Sequence, residues 1–237
     1  MYKKSCKNCS NLIQAFMVEG AEFSSNDIPF CPTTAKEIPQ NLISYSKAIT
    51  IYNDLMKNGN RHFFIEDYVH FYIHDYKFDG NKKGIWFDPY NALKILQHFA
   101  GIITPDFSTY ADYPFPIKIF NTYRMRAFGY WYGQKHGGSV INNVRWGTEE
   151  TFSYCFDGIE KNSIVAIGSV ASKLRDPENQ QLFEVGFFKM LEVLEPQKII
   201  FYGTANCPGV DKARKQQIEI IHFRSERDLA FRGKRNV

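Results

Sequence analysis

Residues 163–202 constrain the fold most. Ser163–Ile167 and Lys198–Tyr202 are continuous apolar runs rather than alternating ones, the pattern of strands buried on both faces. Between them Asp176 sits where an N-cap belongs, Pro177 at the first helical position, and Glu178 in the first turn, where its charge favours the dipole. Leu182, Val185, Phe187, Phe188, Leu191, Val193 and Leu194 leave only a narrow polar stripe, so a helix over Pro177–Leu194 should be largely covered. Glu195-Pro196 then stops it. Two fully buried strands joined by a helix call for a parallel sheet with right-handed crossovers.

The same unit recurs along the chain. Further apolar runs lie at His70–Ile73, Gly101–Thr104, Ser139–Ile141 and Ile218–Phe223. Helical stretches are expected at Pro89–Ala100, at Pro116–Gln134 (interrupted by Gly129 and Gly133) and, briefly, at Glu149–Gly158. The expected class is therefore α/β, about six strand–helix units with a mainly parallel sheet, as an incomplete barrel or an open sheet. Residues 1–40 are rich in breakers, with Gly20, Pro29, Pro32 and Pro39, and read as a loop-rich N-terminal segment. Residues 41–223 read as one α/β domain and 224–237 as a basic tail.

With 44% hydrophobic and 23% charged residues, the 237-residue chain is neither disordered nor collagen-like. No apolar run approaches the ~18 residues of a membrane span, and MYKKSCKNCS has no signal-peptide core, so a cytoplasmic protein without a membrane partner is expected. The net charge of +4 resides wholly in the last 27 residues, which hold 8 basic and 4 acidic side chains. Arg224, Arg227, Arg232, Lys234 and Arg235 suit a phosphate backbone, or equally a solvated terminus.

In parallel α/β folds ligands bind outside the carboxyl ends of the strands. Those ends bring Asp75, Asp106, Ser108, Arg145, Trp146, Ser169 and Tyr202 toward one mouth. The set holds carboxylates for acid–base work, a guanidinium for an anion and aromatic faces for a ring. Each also has an ordinary role: Asp106 and Ser108 as turn caps after Pro105, Trp146 as core. The chain carries no glycine-rich phosphate loop, nucleophile elbow or HExxH.

Cys6-Lys7-Asn8-Cys9 supplies two ligands at zinc spacing, half of a structural zinc site, which Cys31 as a third and Cys207, Cys155 or a histidine as a fourth would complete; the other reading is reduced cysteines in a loop. His70 and His74, four apart in a strand, lie ~13 Å from each other and cannot share a metal. Tyr123–Tyr132 interleaves bases and aromatics, as a single-stranded nucleic acid or a nucleotide would require. On a helix, however, Ile117, Phe120, Phe128 and Trp131 turn inward, and Arg124 and Arg126 stand ~200° apart. At most one of those arginines is left for a ligand.

TPDFSTY (104–110), YRMRAFGYW (123–131), GSVINNVRWG (138–147), TFSYCFDGIEKNSIVAIGS (151–169) and EPQKIIFYG (195–203) together resemble domain of unknown function 4417, a family of bacterial, phage and mobile-element proteins. Departures fall at Asn142-Asn143 and His74, where the resemblance leads one to expect a proline and an acidic residue. The resemblance implies a phage or mobile-element setting in a bacterial cell and carries over no catalytic residue. The residues themselves lead to an enzyme acting on a nucleotide or nucleic-acid component, with Asp106, Asp75 and Ser108 as its chemistry. Arg145, Trp146, Ser169 and Tyr202, with Arg124 or Arg126, are its ligand contacts. The alternatives are a non-catalytic nucleic-acid-binding protein and a ligand-sequestering or host-blocking accessory factor.

Overall fold

The structure, a computed structural model, describes residues 12–80 and 84–233. Its elements alternate: β1 (Leu42–Ser44), α1 (Tyr45–Lys57), β2 (Ile65–His70), α2 (Tyr76–Asp79), α3 (Pro89–Leu96), β3 (Phe99–Ile103), α4 (Phe115–Tyr130), β4 (Val140–Asn143), β5 (Ile164–Gly168), α5 (Pro177–Leu194), β6 (Lys198–Tyr202), α6 (Pro208–Lys215), β7 (Glu219–Phe223) and α7 (Glu226–Gly233). The seven strands are all parallel and stand side by side in chain order. When every crossover steps the same way, the helices collect on one face and the sheet curls over the other. The result is a half-barrel, the incomplete-barrel form of the expected α/β class.

Core residues separate by strand periodicity. Val69, Ile102 and Val140 face the helices of the first half; Val165, Ile167, Ile199 and Phe201 face α5 and α6. Tyr68, Tyr72, Ile103, Ile141, Ala166, Ile200 and Tyr202 fill the concave side. Helix starts repeat one device: Asp88 accepts the Asn91 N–H at 3.2 Å, Asp176 accepts the Asn179 N–H at 3.0 Å, and a proline follows each. Helix α5 buries Phe183, Phe187, Met190, Leu191 and Leu194, worth on the order of 10 kcal/mol at ~2 kcal/mol each.

Several sequence expectations are corrected. There are seven strands, since β1 has only three residues and carries no pattern of its own. The helix expected over Pro89–Ala100 ends at Leu96, because Phe99 and Ala100 already belong to β3. Strand β2 lies earlier than the His70–Ile73 run, its first half hidden by Glu66 and Asp67. Glu149–Ser153 is a short 3-10 turn. Helix α4 passes through Gly129 unbroken and ends in a π turn, Trp131–Lys135. Gly129 is where helix and sheet touch: a Cβ there would lie 2.5 Å from Thr104 Cγ2 and 2.6 Å from Cys31 Sγ. Ile117 does not turn inward; it is exposed, and Lys118 is buried instead, donating to Ala111 O at 3.3 Å and pairing with Glu150.

The loop-rich segment straps the barrel. Thr34 and Ala35 N–H both donate to Val140 O (3.1 and 3.2 Å), and Thr34 Oγ1 accepts the Val140 N–H at 2.9 Å, filling the seam where β4 and β5 diverge. The basic terminus is tied in as well. Glu226 opens α7, accepts the Ser44 N–H at 3.3 Å and donates its own N–H to Tyr202 Oη at 3.2 Å, linking the end of β1 to that of β6. No helix among the described residues is long and apolar enough to cross a membrane.

Candidate functional site

The concave face is apolar except near the strand ends. Strand period two places Asn143 on that face, and Arg145 follows it two residues later, just past β4. Asp106, on the connection leaving β3, accepts from Asn143 Nδ2 at 2.8 Å and from Arg145 Nη1 at 3.0 Å. Asn143 Oδ1 in turn accepts from Tyr72 Oη at 3.1 Å. Both oxygens of a 7% exposed carboxylate are thus engaged. Burial raises the Asp106 carboxyl above its ordinary range, with Arg145 and Asn143 pulling the other way and Asp75 adding to the rise.

Arg145 makes only that one hydrogen bond among the described residues, and its guanidinium carbon lies 5.9 Å from the Tyr110 ring centre. It borders a cavity of about 100 Å³ lined by Tyr110, Arg145, Trp146, Gly168, Ser172 and Phe183. Trp146 is a wall of this cavity rather than a free platform. Its ring packs on Phe183 at 5.3 Å and over Gly186, where a Cβ would lie 2.2 Å from the indole nitrogen. A wider groove of about 450 Å³ lies on the outer helical face against Phe188 and Lys212, away from the strand ends.

Asp75 and Ser108 meet as a clasp between two loops. The Asp75 carboxylate accepts the Ser108 N–H at 3.0 Å and the Ser108 hydroxyl at 2.7 Å. Asn121 Nδ2 donates to Ser108 O, and Asn121 Oδ1 accepts from Arg124 at 2.6 Å. Arg124 also pairs with Asp79 at 2.7 Å and lies 3.8 Å over Phe107, so its charge is held within the fold.

Other residues of the set are fastened deeper. Tyr202 stacks on Tyr72 (5.3 Å, 15°) and against His70 (4.2 Å), and burial pushes its phenol up to about 12. Ser169 closes the β5–β6 end, donating its N–H to Tyr202 O and its hydroxyl to Thr204 O. Arg126 is fully buried behind β4 and donates to three carbonyls, Asp157 O, Asn143 O and Cys155 O. Cys31 is buried against the same strand, its thiol raised to about 12 by burial. Cys6 and Cys9 lie outside the described residues. Among the described residues no three metal-ligating side chains come together.

The structure therefore brings Asp75, Asp106, Ser108 and Arg145 to one mouth, with Trp146 as its wall. Sequence reasoning missed Asn143 and Tyr72. The signal was there: Tyr68, His70 and Tyr72 share one face by alternation, as do Asn143 and Arg145.

The Gene 1 protein of Mycobacterium phage L5 is 34% identical over 145 residues, 60% of this chain and 60% of that protein. The Gene 1 protein of Mycobacterium phage D29 is 35% identical over 162 residues, 62% of this chain and 57% of that protein. The chain thus spans about three-fifths of the length of these relatives. No solved structure matches. The model of a domain of unknown function, DUF4417, matches residues 22–224, nearly the whole half-barrel, and the chain belongs to that family, with relatives in phages.

Proposed function

We propose that this chain is an enzyme acting on the phosphate-bearing end of a nucleotide or nucleic-acid component at the carboxyl ends of its strands. One observation carries the reading: Arg145 lines a cavity while paired with Asp106, and Asn143 and Tyr72 hold that carboxylate from behind. A guanidinium with one hydrogen bond made and donors to spare suits an anionic oxygen. A carboxyl raised by burial is nearer the range in which it can exchange a proton, and an anion drawing Arg145 away would free one of its oxygens.

The test is turnover of a panel of nucleoside mono-, di- and triphosphates and short oligonucleotides, followed by Asp106→Asn. The variant should lose turnover by about 10²–10⁴-fold while staying folded and keeping ligand binding, with a modest fall in melting temperature because an amide can accept only one of the two bonds made to the carboxylate. A folded Asp106→Asn protein with full activity removes the role. A second reading is favoured by the engagement of both Asp106 oxygens: a mouth that sequesters a ligand without reacting, as an accessory factor blocking a host system would. Tight binding of a panel member that is recovered unchanged would select it.

A further inference from the structure

The cavity is small for its place. At about 100 Å³ it is well under the roughly 300 Å³ at which ordinary small-molecule sites begin, so it holds a single phosphoryl-sized group and leaves the rest of the ligand outside. What lies outside is aromatic. Tyr110 and Tyr113 are exposed and meet edge to face at 5.3 Å; His74 and Tyr76 are exposed and stack at 5.6 Å and 13°. Tyr110 also neighbours the Arg145 guanidinium, so one pair begins at the anion contact. The other pair flanks Asp75, whose bonds to Ser108 hold the two loops side by side. Asp75 also faces Tyr113, whose phenol is raised by burial first and by that charge next. Rings this large normally bury their faces, and four on adjoining loops of one rim form a stacking surface.

We infer that the ligand is a single-stranded nucleic acid, one phosphate seated at Arg145 and its neighbouring bases stacked on Tyr110–Tyr113 and His74–Tyr76. This rests on the reading of Arg145 as the anion contact and deepens it, since a free nucleotide has one base for two aromatic pairs. Charge on the rim is balanced, with Lys77, Lys173 and Arg175 exposed alongside Asp112 and Asp176. Stacking therefore dominates, and affinity falls only gently with salt.

The experiment is a titration of three labelled probes: a twelve-nucleotide thymidine strand, an abasic strand with the same sugar phosphates, and thymidine monophosphate. Parent, Tyr76→Ala/Tyr113→Ala and Arg145→Gln proteins are compared. Both tyrosines are exposed, so the double variant leaves the fold intact, which its melting temperature checks. The thymidine strand should bind the parent about tenfold to a hundredfold more tightly than the abasic strand, and the double variant should erase that gap. Arg145→Gln should weaken both strands. Equal binding of the two strands by the parent, or an unaltered gap in the double variant, overturns the inference. Arg145-dependent binding of the monophosphate with no tighter binding of the strand overturns it too, and leaves the enzyme reading standing. No Arg145-dependent binding of any probe overturns both.

Discussion

Strand β4 has two faces, each with one of its asparagines, and an arginine from outside the strand lies on either side. Behind it, Asn142 donates to Cys31 O at 2.7 Å and Arg126 donates to three main-chain carbonyls. In front, Asn143 and Arg145 both donate to one carboxylate. The residue types are alike and the consequences differ. A buried guanidinium surrounded by neutral carbonyls fixes loops, because each carbonyl would otherwise be buried unpaired. A guanidinium facing a carboxylate with open space beside it can exchange that partner for another anion. Burial of an arginine alone does not identify a site; its acceptors and the space around it do.

The largest expected difference is between the two arginines themselves. Arg126→Ala orphans three carbonyls and leaves a cavity, for about 3–5 kcal/mol of lost stability by urea unfolding. Arg145→Gln leaves the buried Asp106 carboxyl its bond to Asn143 and the option of taking up a proton, so it should cost less, about 1–2 kcal/mol. Similar losses from the two would break the contrast and return Arg145 to a structural role.

The asparagines give a smaller version of the same contrast. Asn143 has both side-chain atoms satisfied, whereas Asn142 Oδ1 is buried without a partner among the described residues. Asn143→Ala should therefore cost about 2–3 kcal/mol, since Tyr72 Oη and Asp106 each lose a bond. Asn142→Ala should cost about 1 kcal/mol, because the orphaned oxygen goes with the bond to Cys31 O. Denaturation of the two variants side by side reads the difference; a reversed order means that the back of β4, not the front, is the better-ordered network.

How much of this the sequence carries depends on range. Helix α5 and strand β6 are legible to the residue, because Asp176-Pro177, Glu195-Pro196 and the KIIFY run are local signals. Asp106 and Arg145 are legible as strand-end residues by the general rule for parallel sheets. Arg126 is not, since its acceptors come from residues 143–157, and nothing near position 126 announces them. Trp146 and Tyr202 read as ring platforms only until packing is known: Phe183 and Gly186 cover one, Tyr72 and His70 the other. Exposure of a ring is a tertiary property, and sequence periodicity does not report it.

His70 tests whether the front of the sheet is as closed below the mouth as the back is. Its Nδ1 accepts the Tyr72 N–H at 3.2 Å, which leaves the proton on Nε2, and Nε2 is buried without a partner among the described residues. Burial lowers its pKa from 6.5 to about 3. A histidine lowered in the folded state stays neutral there while the unfolded chain takes up a proton. Its contribution is thus complete above pH 6.5 and is lost as pH falls from 6.5 toward 3, at about 1.4 kcal/mol per pH unit. His70→Gln keeps an acceptor for the Tyr72 N–H and cannot titrate. Between pH 6 and pH 4 the parent should lose stability more steeply than His70→Gln by about that slope, in urea titrations at fixed ionic strength. Parallel slopes would mean that His70 titrates as it does in the unfolded chain, so that water reaches the concave face beneath Tyr72 and the ligand space extends inward from the mouth.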